Sequence, residues 1–279
     1  MLRLFCLLFF FHLTIFYAQV ELSFNKKFVQ SEDKWIAFQT DTINRYAFGF
    51  AFIDVKEGLM FDYEGTFKID SLGKYIPRKK EEKKSVRLRL KPGNEKIAFI
   101  PDDKLIELQV AKIPEWLKEY KKDEGSIERL YSIGYLYNGW NECEKALEYL
   151  DKAKAINPDY LGLGVELAYS YNCLKRYEDA VEVLKNVLIK YPFDDYSNKE
   201  LIYAYAKLGD LDEAEKRCRF VFKNCKDTYN AENAYNILQG YYFKKDKKRF
   251  MNWLKESKAY FNKENQFTNL IEKMKDELK

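Results

Sequence analysis

Histidine, the side chain that most readily serves as a general base or metal ligand near neutral pH, occurs once in the 279 residues, as His12. It lies inside an apolar N-terminal run, so the remainder of the chain has none. Ser-His-Asp and Cys-His arrangements and His-ligated metals are thereby excluded. After Cys6, the cysteines are Cys143, Cys173, Cys218 and Cys225, with no CxxC pair and no zinc spacing. The phosphate-cradling GxxxxGK[ST] and GxGxxG and the nucleophile elbow GxSxG are all missing. Paired carboxylates can cleave glycosides without histidine. Asp54, Asp62 and Glu64, set among aromatics, are the candidates for that chemistry. Acids between strands usually form a solvated face, and a region of about 90 residues is small for such an enzyme. The expectation is a protein that is not an enzyme and carries no cofactor, with a carboxylate-dependent glycoside hydrolase the last of its readings.

The elements around these residues begin with an export signal over residues 1–19. Arg3 supplies the positive end, residues 4–17 are almost wholly apolar, and Ala18 offers a small residue for cleavage. The run is short against the roughly 20 residues of a membrane-spanning helix. A secreted or periplasmic protein is expected, the alternative being an uncleaved N-terminal anchor. The balance of 48 basic and 44 acidic residues, net +4, lacks the clustered basic excess of a nucleic-acid binder.

Residues 20–110 read as β. Tyr46, Phe48, Phe50 and Phe52 alternate with Ala47, Gly49, Ala51 and Ile53, a bulky face against a small one. Residues 59–63 and 66–69 continue the pattern on either side of Glu64-Gly65, and Leu88 alternates with Arg87 and Arg89. A mainly antiparallel sheet or small sandwich is expected, with the charged run 78–84 as a solvated loop. Residues 111–126 form a connecting segment.

Residues 127–262 carry a repeat. Ala146, Ala180 and Ala214 are spaced by 34 residues, as are Tyr137, Tyr171 and Tyr205, and Pro158 and Pro192. Three markers sharing one period describe helical hairpins: the small Ala permits close helix approach, and proline ends the second helix. Leu150, Leu184 and Cys218 follow each Ala by four residues as core positions. A fourth hairpin, residues 231–261, fits if two residues are inserted before it, with Tyr241, Phe250 and Leu254 in the Tyr, Ala and Leu places. Phe267, Leu270, Ile271, Met274 and Leu278 make an apolar stripe suited to a capping helix over residues 263–279. On these markers the C-terminal half resembles the tetratricopeptide repeat family. The fold class is α+β multidomain: an antiparallel β domain followed by a helical solenoid.

The resemblance implies that the first helices of the hairpins line a concave groove that receives a protein or peptide partner. Groove positions are Tyr131, Tyr135 and Asn138 in the first unit, Val165, Glu166, Tyr169 and Asn172 in the second, and Tyr196, Lys199, Glu200 and Tyr203 in the third. Tyr135, Tyr169 and Tyr203 repeat every 34 residues and form an expected ladder of phenols, a side chain with large rigid area and one polar end. The alternative is that these rings pad helix junctions. Members of the family that clamp a peptide carboxylate use Lys, Asn and Arg, whereas Tyr131, Tyr135, Glu166, Tyr196 and Glu200 stand here, so a polar or mildly basic segment suits the groove better. Cys143 and Cys173 fall at the meeting ends of neighbouring helices, a candidate disulfide. The expected function is an exported adaptor or assembly module. The alternative is a glycan- or ligand-binding module with its site in the β domain.

Overall fold

The computed structural model describes residues 22–81, 86–261 and 266–278. The expected signal segment, with His12 and Cys6, lies outside the described residues, as do residues 82–84 of the charged run.

Six strands form one sheet: β1 (Lys34–Gln39), β2 (Tyr46–Asp54), β3 (Gly58–Ile69), β4 (Tyr75–Lys79), β5 (Arg87–Arg89) and β6 (Ala98–Phe99). Their order is β4-β3-β2-β1-β6, with β5 paired to β3. Period-two alternation decides which rings meet. The register sets Trp35 opposite Phe50 and Ala37 opposite Phe48, so the bulky face of β2 gathers Trp35, Phe48, Phe50, Phe67 and Tyr75. On the other face Gly49 leaves room for Phe61, whose ring meets Phe38 edge-on at 5.0 Å between centroids. Both faces of β2 are buried from Phe48 to Ile53.

A methyl group on Gly49 would lie 2.2 Å from the Asp62 carbonyl oxygen and 2.7 Å from the Phe61 ring. Overpacking between paired strands cannot relax without moving backbone, so Gly49→Ala is expected to destabilise the protein by about 1–3 kcal/mol. Urea unfolding checks this; an unchanged midpoint would mean the strands are looser than drawn.

One feature of the sheet differs from sequence expectation. β3 runs unbroken through Glu64-Gly65, because Gly65 lets the Arg78 carbonyl approach where a Cβ would stand at 2.4 Å. β1, which the sequence pattern does not single out, buries Trp35, Ile36 and Ala37 in succession, so both its faces are covered there.

The β unit ends at Glu115, leaving aside the hairpin tip Ile53–Gly58, and a helical unit starts at Trp116. The latter holds α1 (Leu117–Tyr120), then α2 (Ile127–Gly139), α3 (Cys143–Ile156), α4 (Leu163–Cys173), α5 (Tyr177–Lys190), α6 (Asp195–Leu208), α7 (Leu211–Asn224), α8 (Asn230–Phe243), α9 (Lys247–Ser257) and α10 (Thr268–Glu277). Side-chain oxygens of Ser126, Asp194, Asp210 and Asp246 cap α2, α6, α7 and α9 by accepting from backbone N–H groups left free in the first turn. Ala146, Ala180 and Ala214 are fully buried where the paired helices meet, and Phe250 is equally buried in the fourth pair.

In α9 the sequence expectation needs correction. Trp253 and Ser257 are buried beside Phe250, while Leu254, expected as the core residue, is only half-buried. The indole offers more apolar area than leucine and finds a partner for its N–H in the Ala234 carbonyl at 3.0 Å, which settles the competition for the inner seat. α10 packs on α8 and buries Ile271, Met274 and Leu278, with Leu270 exposed.

Candidate functional site

The groove positions expected from the sequence divide into polar rungs and an aromatic cleft. Asn138 on α2 donates from Nδ2 to the Glu166 backbone oxygen and to Glu166 Oε2, each at 2.9 Å. One period later Asn172 on α4 repeats this with the Glu200 backbone oxygen at 3.1 Å and Glu200 Oε2 at 2.8 Å. All four side chains are buried. They bolt successive helices together, and Asn138 and Asn172 spend their amide hydrogens on that task.

On the asparagine side the two rungs differ in one hydroxyl. Ser170 donates its hydroxyl to Asn138 Oδ1 at 2.7 Å, whereas Ala204 stands one period after Ser170 and Asn172 Oδ1 has no partner among the described residues. Ala204→Ser is therefore expected to stabilise the protein by about 0.5–1.5 kcal/mol, a typical net hydrogen bond. Ser170→Ala should cost about 1–3 kcal/mol, because it strands a buried acceptor. Thermal melts of the two single variants test the pair; the same sign for both would overturn the equivalence of the rungs.

Beside the Asn138–Glu166 rung lies a cleft of about 490 Å³. Tyr135 from α2, Tyr169 from α4, Tyr196 from α6 and Tyr229 just before α8 supply its rings, and Glu166 its acid. Tyr135 is 55% exposed, unusual for a ring on the inner side of a helix pair. Glu166 is 5% exposed. Burial raises its pKa, helped by the like charge of Glu200 and opposed by the bond from Asn138. Burial, with the charges of Glu200 and Glu166, also pushes Tyr196 far above the phenol range, and burial raises Tyr169. These phenols stay protonated and present π faces and hydroxyls, not charge.

Of the remaining sequence candidates, Tyr131 packs against Tyr160 at 5.3 Å and over Gly162, whose backbone is left-handed at φ +85°. Burial, with the charge of Glu166 next, pushes Tyr131 up to about 12. Tyr203 faces Tyr177 edge-on at 6.3 Å and is not among the residues lining the cleft. Lys199 is enclosed: its Nζ is 2.9 Å from Glu200 Oε1, 3.7 Å from Glu232 Oε1, and 4.7 and 5.4 Å from the ring centres of Tyr196 and Tyr229. Burial alone would lower its pKa, but Glu200 and Glu232 carry it above the ordinary value. Cys143 and Cys173 are joined by a disulfide, with 6.3 Å between Cα atoms.

A larger apolar hollow, about 810 Å³, opens beside Leu161, Val187, Tyr191 and Phe193 at the turns between hairpins. Its lining also includes Tyr160 and the carboxylates of Asp159, Glu182 and Asp194; Lys190 pairs with Asp159 at 2.5 Å, and Asp194 accepts the Ser197 backbone N–H at 2.7 Å. In the β unit the candidate acids are engaged. Asp54 accepts turn N–H groups from Lys56 at 2.8 Å and Glu57 at 3.1 Å. Asp62 lies 3.4 Å from Lys80 and 3.6 Å from Arg87, and Glu64 lies 3.6 Å from Lys79 and 3.7 Å from Lys80.

One backbone feature recurs through the helical half. The turn inside each hairpin holds a single left-handed residue, successively Asn141, Lys175, Gly209 and Lys245, at steps of 34, 34 and 36 residues. Four hairpins thus share one turn geometry, the last after two extra residues. The helical half is a tetratricopeptide-like solenoid. No family model and no curated protein matches the chain. Among solved structures, a tetratricopeptide repeat protein from Parabacteroides merdae is 16% identical, with a TM-score of 0.41, over 63% of this chain and 62% of that one. A thermophilic tetratricopeptide repeat protein of Thermus thermophilus is 21% identical, with a TM-score of 0.44, over 55% of this chain and 84% of that one.

Within the tetratricopeptide-like array, the cleft uses two of the expected ladder tyrosines, Tyr135 and Tyr169, and replaces Tyr203 by Tyr196 and Tyr229. Tyr229 follows Tyr196 by 33 residues, one short of the period, so a strict 34-step search passes over it. Trp140, also on the cleft wall, has no counterpart in the later units and left no periodic signal.

Proposed function

We propose that this chain is a binding module that holds an extended segment of a protein partner in the concave face of its helical array. The observation that carries this is the cleft itself: four phenols from successive hairpins converge on a hollow that their own packing leaves open. Tyrosine suits such a surface because it offers large contact area at little conformational entropy. No catalytic role is proposed, and the acids considered for one in the β unit are held in turns and ion pairs. The apolar run at residues 4–17 and the Cys143–Cys173 bridge support an exported location, since disulfides persist in oxidising compartments.

The test is affinity capture from envelope and culture extracts, comparing the parent with a Tyr135→Ala/Tyr169→Ala variant shown by circular dichroism to keep its helices. A protein retained by the parent and lost from the variant is the expected result. Equal retention by both would move the working surface away from the concave face.

A further inference from the structure

We propose that the cleft accepts one basic side chain, arginine or lysine, of the partner segment, its cation seated beside Glu166 among the rings of Tyr135, Tyr169 and Tyr196. This rests on the concave face being the binding surface and adds the chemistry of its occupant.

The repeat supplies the comparison. Glu166 and Glu200 are equivalent, one period apart, and each gives Oε2 to the asparagine of the preceding helix. Glu200 gives its other oxygen to Lys199 at 2.9 Å. The residue equivalent to Lys199 beside Glu166 is Val165, which carries no charge. Glu166 therefore lines the cleft with a carboxylate that no cation neutralises among the described residues, although it is almost wholly buried. Burial, with the charge of Glu200, holds the Glu166 carboxyl above its ordinary range, a cost that a cation seated beside it would relieve.

The protein already shows what such a place holds. The Lys199 ammonium sits between two carboxylates and over the faces of Tyr196 and Tyr229. Ring quadrupoles attract cations, most strongly where water is excluded. A hard metal ion is poorly served, since it needs several anionic or carbonyl oxygens and finds one carboxylate among aromatic rings. A guanidinium or ammonium on an apolar stem matches both the acid and the aromatic walls.

The test selects a random dodecapeptide library on phage against the full chain and carries recovered peptides into fluorescence titrations. Parent-selected peptides are expected to share one Arg or Lys at a fixed place, and replacing it by Gln should weaken binding by about tenfold or more. Glu166→Gln keeps an acceptor for Asn138 but removes the charge, and should abolish the discrimination between the Arg and Gln peptides. Val165→Lys, which supplies an internal cation as Lys199 does for Glu200, should block the same peptides. Free N-acetyl-arginine methylamide competing as well as the peptides would show that the cation alone is recognised and overturn the peptide assignment. Peptides that lose affinity on Tyr169→Ala but ignore Glu166→Gln would overturn this proposal and leave the concave face as the binding surface. Recovery of no peptide, or binding indifferent to every cleft substitution, would count against both.

Discussion

Replacing Trp253 by alanine is expected to lower the stability of the helical unit by about 3–5 kcal/mol, the range for deleting a large buried aromatic. The side chain is 1% exposed. Its ring stacks on Phe222 with 6.0 Å between centroids and 13° between planes, and the Arg219 guanidinium lies 5.3 Å over its face. Its N–H is bonded to the Ala234 carbonyl of α8. Alanine would remove all of these together and leave a hole that Phe250, itself fully buried, has no rotameric freedom to fill. Leu254→Ala is the matched control. That residue is half-buried, so its loss should cost less than half as much. Guanidinium unfolding of the two variants settles the order, and a larger loss at Leu254 would restore the helix register suggested by the repeat with two residues inserted.

Reduction of the Cys143–Cys173 bond should destabilise the array by ~3–4 kcal/mol. The two cysteines are separated by 30 residues, and the chain-entropy relation for a closed loop of that size gives this figure. The bond ties the start of α3 to the end of α4, so it spans the boundary between the first and second hairpins. Cys218 is a poor competitor for exchange, because burial drives its thiol well above the ordinary range and keeps it from ionising. The expected result is that dithiothreitol lowers the melting temperature of the parent to that of a Cys143→Ala/Cys173→Ala variant, which itself does not respond to reductant. A parent unaffected by reductant would mean that the bridge is absent in solution or contributes nothing.

How much of this could be read from residues alone depended on whether a feature repeats. The alanines, tyrosines and prolines at 34-residue spacing recur because every hairpin solves the same packing problem, so helix pairing was legible without coordinates. The division of labour among the groove positions was not. Asn138, Glu166, Asn172 and Glu200 have the composition of a polar binding surface, yet they are buried and bonded across helices. Sequence spacing places a residue on a face but does not say whether its polar atoms are spent on a neighbour. Tyr203 keeps the period and turns to Tyr177, while Tyr229, 33 residues after Tyr196, breaks it and enters the cleft from the segment between α7 and α8. In the sheet, the alternation of β2 was visible because one face is large and one small. The strand β1 was hidden by being apolar on both sides.

The rungs between hairpins have a consequence for how the array can change length. Asn138 meets Glu166 as Asn172 meets Glu200, so the first two boundaries are interchangeable parts. Excision of residues 143–176, one full period, would bring Asn138 against Glu200 in the place of Asn172, without the hydroxyl of Ser170, and would remove both bridged cysteines at once. The boundary to the fourth hairpin has no such interchangeability: Ala206 occupies the asparagine's place, and Tyr241 and Arg249 reach back to Glu215 instead. The asparagine–glutamate pairing would thus survive loss of one unit at the front of the solenoid, whereas the fourth pair is held by contacts of its own.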